Sequence, residues 1–150
     1  MNNKTIINVW QNVLSKEEVA RLNGPNGGWD SEARFARYAD LQTFAKPVMA
    51  EAAFRHGDHT LVASVETDGG LEDAFRLTQH GLVEESWQFN NGVTAIGEAR
   101  TRARSSMTGD IFEKIENGRS TFHVVAMVGF KLIAGLDPHM HGELAEKEQA

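Results

Sequence analysis

The sequence predicts an α+β fold: one domain with a mixed or antiparallel sheet of about four to five strands. Three to four short helices are expected to pack mainly on one face of that sheet. Three observations carry the prediction. Alternating apolar runs recur at Thr5 to Trp10, Thr60 to Glu66 and again after Asp110. Several segments between them have helix-capping signals. Asn117-Gly118, set between two strand-like runs, is a favoured two-residue type I′ hairpin turn. The domain is expected over 1–136, with 137–150 a polar, flexible tail.

Each element follows from local chemistry. Thr5 to Trp10 alternates Ile7 and Val9 against Ile6 and Trp10. Ser15 and Glu18 form an S-x-x-E capping box that opens a first helix, and Asn23-Gly24 supplies its stop. The loop Gly24-Pro25-Asn26-Gly27-Gly28 positions Trp29. It is not a phosphate loop, because it follows a helix and has no Lys-Ser/Thr after it. Asp30 to Ala39 is expected as a second helix burying Phe35, Tyr38 and Ala39, with Arg34 and Arg37 on its outer side. Lys46 to Arg55 is expected as a third helix, with Pro47 suited to its first turn and Gly57 just past its end. Thr60 to Glu66 is a strand with Leu61, Ala63 and Val65 inward. Leu71, Ala74, Phe75 and Thr78 make the stripe of a fourth helix. His80 to Gly97 reads as a long loop anchored by aromatics, among them Trp87 and Phe89. Arg100, Arg102 and Arg104 alternate and are read as one face of an extended strand. Asp110 to Glu116 and Ser120 to Val128 form the C-terminal hairpin, whose second strand is apolar on both faces and so expected to be central.

Composition excludes several classes of chemistry. The 150 residues contain no cysteine, which removes disulfides, thiolate catalysis and thiolate metal sites. The formal charge of −6 opposes non-specific attraction to nucleic acid. No apolar run approaches the roughly 20 residues needed to cross a bilayer. The N-terminus lacks the pattern of a signal peptide, so a cytoplasmic location is expected.

The candidate chemistry is sparse. On a strand, Arg100, Arg102 and Arg104 would stand about 7 Å apart and match phosphates or a carboxylate-rich partner. Equally, they could guard a sheet edge or pair with Glu98 and Glu113. His56 and His59 flank Gly57-Asp58, and His139 and His141 lie near the end, but neither pair brings the three or four convergent ligands of a metal site. His123 could meet Asp110 across the hairpin as an acid–base pair; a structural histidine is the expected role. Ser105 and Ser106 lack the context of a nucleophile elbow and are assigned to the bend. No catalytic residue, metal site or cofactor is expected.

One resemblance runs through these residues. Leu71-Glu72-Asp73-Ala74-Phe75-Arg76-Leu77-Thr78, then Trp87 and Asn91, then Arg104-Ser105-Ser106-Met107-Thr108-Gly109-Asp110, then Val125-Ala126-Met127-Val128-Gly129-Phe130 occur in that order. The pattern resembles small uncharacterised proteins carried by phages, plasmids and integrated elements. It is also similar to the YodL-like domain of polyvalent proteins of such elements. The resemblance spans 60–133, with Met-Thr-Gly-Asp where members more often show Ser-Val-Gly-Asp. It implies a genomic context and no catalytic residues.

The expected function is therefore a non-catalytic accessory protein of a mobile element, one that binds a host or element-encoded protein and so contends with host defence. Binding is assigned to Arg100, Arg102, Arg104, Trp87, Phe89, Arg34 and Arg37, since aromatic and arginine side chains dominate interface energetics. The alternative is a nucleic-acid module using the Arg100/Arg102/Arg104 face, which a continuous basic stripe would favour. No membrane association is expected. An exposed strand edge leaves room for a homodimer.

Overall fold

The computed structural model describes residues 5–145. In chain order it comprises β1 (Thr5–Asn12), α1 (Lys16–Leu22), α2 (Ala33–Phe44), α3 (Pro47–Arg55), β2 (His59–Thr67), α4 (Gly70–Leu77), β3 (Val93–Ala95), β4 (Ile111–Glu116), β5 (Arg119–Val125) and β6 (Phe130–Ile133). The fold is α+β, as expected. All strand pairs are antiparallel, in the order β3-β2-β1-β4-β5-β6. The sheet thus has six strands, β3 and β6 being short edge strands that the sequence does not announce.

Helices cover both faces rather than mainly one. Period-two alternation sends Ile7, Val9, Ala63, Val65, Phe112 and Val125 to one side, where they pack with Ala74 and Leu77 of α4 and with Trp87. The other side carries Ile111, Phe122, Val124 and Ile133 against Leu41 of α2 and Ala50, Ala53 and Phe54 of α3. A bulge between Val9 and Trp10 lets Val62 and Ala63 both face the α4 side.

Local signals set most helix ends. The capping box holds at α1: Glu18 N donates to Ser15 Oγ over 3.1 Å, and Ser15 N to Glu18 Oε1 over 2.7 Å. α2 starts later and runs further than its sequence suggests, because Leu41 is buried and Ala45 ends the helix only by entering the left-handed region at φ 47°. Trp29 stacks on Tyr38 of this helix with ring centres 5.8 Å apart. Asn117 and Gly118, at φ 52° and 76°, both take the positive values that a type I′ turn requires.

Residues 137–145 return across the α3 side. The His141 ring packs on Trp10 and Phe54, its Nε2 lies 2.6 Å from the His59 carbonyl, and Leu144 N donates to Arg55 O over 2.8 Å. Arg55 also pairs with Glu143. The remainder of the expected tail lies outside the described residues. Among those described, no helix is long and apolar enough to cross a membrane.

Candidate functional site

The arginine strand does not exist. Gly97 takes φ 62° and starts a 3-10 turn, Gly97–Arg100. The carbonyl of Glu98 then accepts the amides of Thr101 and Arg102 over 3.1 and 2.8 Å, so the chain winds instead of extending. Arg100 Nε turns back onto Gly97 O at 3.2 Å, while Arg102 stands exposed in a bend. The alternation of Arg with Thr and Ala supplied no apolar face to hold a strand.

Arg104 points inward and away from the other two. Its guanidinium meets both carboxylate oxygens of the fully buried Asp110, at 2.9 and 2.8 Å. Asp110 also accepts the amides of Asn12 and Met107. Burial opposes the charge on Arg104, but the bonds and charge of Asp110 outweigh it and hold the guanidinium protonated. Its carbonyl takes two further donors, Trp87 Nε1 at 2.7 Å and Gln11 Nε2 at 3.1 Å.

Arg34 and Arg37 likewise face inward rather than outward. Arg37 makes a two-pronged pair with the buried Asp58, at 2.7 and 3.0 Å. Arg34 bonds Asn12 Oδ1 at 2.8 Å, Val13 O at 2.9 Å and Glu18 Oε2 at 3.2 Å. Arg34 and Arg104 therefore meet at Asn12, and Arg37 shares Asp58 with Arg34, so that the three arginines stand against Asp58, Asp110 and Glu18 at one end of the sheet. Three charges of each sign leave no basic stripe. Glu113, offered as a partner for Arg100, Arg102 and Arg104, instead accepts from Asn8, Trp10 and Ser120.

His123 and Asp110 do not pair across the hairpin. His123 contacts Thr121 Oγ1 at 3.0 Å, whereas Asp110 is occupied by Arg104. Burial of His59 pushes its pKa down to about 4, so the ring is neutral at pH 7, and its Nε2 lies 2.9 Å from Gly109 O. Its Nδ1 is buried with no partner among the described residues. No group of three or more potential metal ligands comes together among the described residues. Ser105 and Ser106 accept or share bonds with His80 N and Thr78 Oγ1, in the structural role expected.

The aromatic loop divides. Trp87 is 0% exposed and stacks beneath His80, so it is a core anchor and not a surface contact. Phe89 is 72% exposed, and Leu82 and Val83 of the same loop are also exposed.

Another exposed apolar feature lies at the turn after β5. The strand expected to reach Val128 ends at Val125, because Ala126 N bonds Gly129 O at 3.0 Å and Gly129 takes φ 71°. The chain reverses there and returns as β6. This leaves Met127 84% and Val128 89% exposed at the tip of the turn. Beside it is an open cleft of about 290 Å³ lined by Glu72, Phe75, Val125, Met127, Gly129 and Phe130. Phe75 and Phe130 meet edge to face with centres 6.4 Å apart and form its floor, and the buried Phe112 packs against both rings. The run Val124 to Val128 looked like core; Gly129 was the signal that it was a turn. No family model, curated protein or solved structure matches this chain.

Proposed function

We propose that the chain is a non-catalytic protein that binds another protein through the surface around the 126–129 turn. The observation that carries this reading is the pair Met127 and Val128, exposed side by side at the rim of the cleft floored by Phe75 and Phe130. Single exposed apolar side chains need no explanation, but a contiguous apolar patch beside a groove marks an interaction site. A turn of this length closes equally well with polar residues, and neither side chain contributes to either core cluster. Supporting it, the charged residues gathered at Asn12, Asp58 and Asp110 are spent on one another. The resemblance to phage- and plasmid-borne proteins makes the partner a cytoplasmic host or element-encoded protein and the role an accessory one, such as counter-defence.

A photo-crosslinking amino acid at position 128, in the native host during infection or plasmid entry, tests this. A discrete crosslinked product at 128 that is missing with the same probe at exposed position 100 is the expected result. Equal, diffuse labelling from both positions would refute it.

A further inference from the structure

The edge strand β6 allows a further step, which rests on reading this face as the binding surface. Residues of an antiparallel strand direct their backbone groups alternately to one neighbour and the other. Val125 donates to Asp110 O over 2.8 Å and accepts from Gly109 N over 2.9 Å, so both its groups point away from β6. Val124 and Phe122 therefore bond β6 through their partners Lys131 and Ile133. Phe130 and Leu132 then aim their N–H and C=O groups outward, along the free edge of the sheet. Among the described residues, no backbone hydrogen bond from beyond the sheet reaches either.

This edge is only partly guarded: β6 is short and carries Lys131, but it has no proline and no bulge. Its side chains divide by face. Phe130 lies in the cleft and Leu132, 55% exposed, follows on the same side. Lys131 stands exposed on the opposite side. Glu72 at the cleft rim makes the Phe130 side unsuited to an acidic side chain.

We propose that a partner adds an extended segment to β6 as a seventh, antiparallel strand of the six-stranded sheet. That segment places an acidic residue across from Lys131 and apolar residues across from Phe130 and Leu132. Unpaired backbone donors and acceptors select an extended chain, and Lys131 selects its charge. A second copy centred on the same edge would pair Phe130 with Leu132 and set Lys131 directly against Lys131, a destabilising like-charge contact.

The test uses the full chain, isotope-labelled, and two synthetic peptides, Thr-Val-Glu-Val-Thr and Thr-Val-Lys-Val-Thr, followed by amide NMR. The expected result is saturable shifts and slowed hydrogen exchange at Phe130 and Leu132, with the glutamate peptide tighter by roughly fivefold. Lys131→Glu reverses that preference. Leu132→Pro, which removes an outward N–H and no bond to β5, abolishes binding while the dispersed spectrum persists. Absent shifts at these amides, or a preference unchanged in Lys131→Glu, would overturn the proposal. So would a sedimenting dimer of the chain alone that Leu132→Pro dissolves, because the second copy then owns the edge. If Val128→Asp abolishes the position-128 crosslink partner's capture while Leu132→Pro and Lys131→Glu retain it, strand addition falls and the binding surface stands. If all three variants retain the partner, both fall.

Discussion

Arg104 grips Asp110 through both terminal guanidinium nitrogens, at 2.9 and 2.8 Å, six residues apart in the chain and on opposite sides of a bend. That pair closes the segment which leads into β4 and ties it to the end of β1 through Asn12, whose amide bonds Asp110 and whose carbonyl bonds Arg104. The arginine with the most interesting surroundings is therefore a structural one.

Arg104→Ala leaves the Asp110 carboxylate buried without its counter-charge, and should lower unfolding free energy by about 3 kcal/mol. Arg100→Ala and Arg102→Ala should each stay within about 0.5 kcal/mol of the parent, since both side chains are exposed. Urea denaturation of the three variants checks the contrast. Equal losses at all three positions would contradict it.

The two loop aromatics separate in the same way. Trp87→Ala should cost about 3–5 kcal/mol by opening a cavity in the core cluster it shares with Ile7 and Val65 and removing one of the two donors to the Arg104 carbonyl. Phe89→Ala, at a 72% exposed position, should change stability by no more than about 0.5 kcal/mol. Thermal unfolding by circular dichroism distinguishes the two.

His59 makes stability depend on pH in a defined direction. Its folded pKa of about 4 lies below the ordinary 6.5, so the unfolded chain binds the extra proton between those values. Stability attributable to this ring is thus complete above pH 6.5 and is lost as pH falls toward 4. The whole effect is about 3 kcal/mol at 1.36 kcal/mol per unit. Denaturant titrations across that range should show a slope in the parent that is reduced in His59→Gln, even though the variant is less stable throughout. Parallel pH profiles would count against a buried neutral imidazole.

Met127→Asp and Val128→Asp should be nearly silent in stability, within about 0.5 kcal/mol, because neither side chain packs in a core. Partner capture should nonetheless be lost. A large loss of stability from either would mean that the turn supports the fold.

What the sequence announces here is chemistry that acts over a few residues. Ser15 with Glu18, Pro47 ahead of its helix, and Asn117-Gly118 each fix backbone geometry locally, and each stands where it was expected. Val93–Ala95 and Phe130–Ile133 are three and four residues long, and take their conformation from the strands they join. The arginines misled for a related reason. A period of two among polar residues carries no burial energy, so Gly97 and the Glu98 carbonyl decided the backbone at Arg100–Arg104. Arg37 meets Asp58 across 21 positions, a contact that only the assembled sheet creates. The apolar tip was visible as residues but not as a surface, because Met127 and Val128 continued the pattern of a buried strand.

The most direct measurement is parallel affinity purification of the full chain, its Val128→Asp variant and its Arg100→Ala/Arg102→Ala variant from the native host, read by quantitative mass spectrometry. The account predicts one enriched partner shared by the parent and the arginine variant and missing from Val128→Asp. The same partner retained by Val128→Asp and lost from the arginine variant would contradict it.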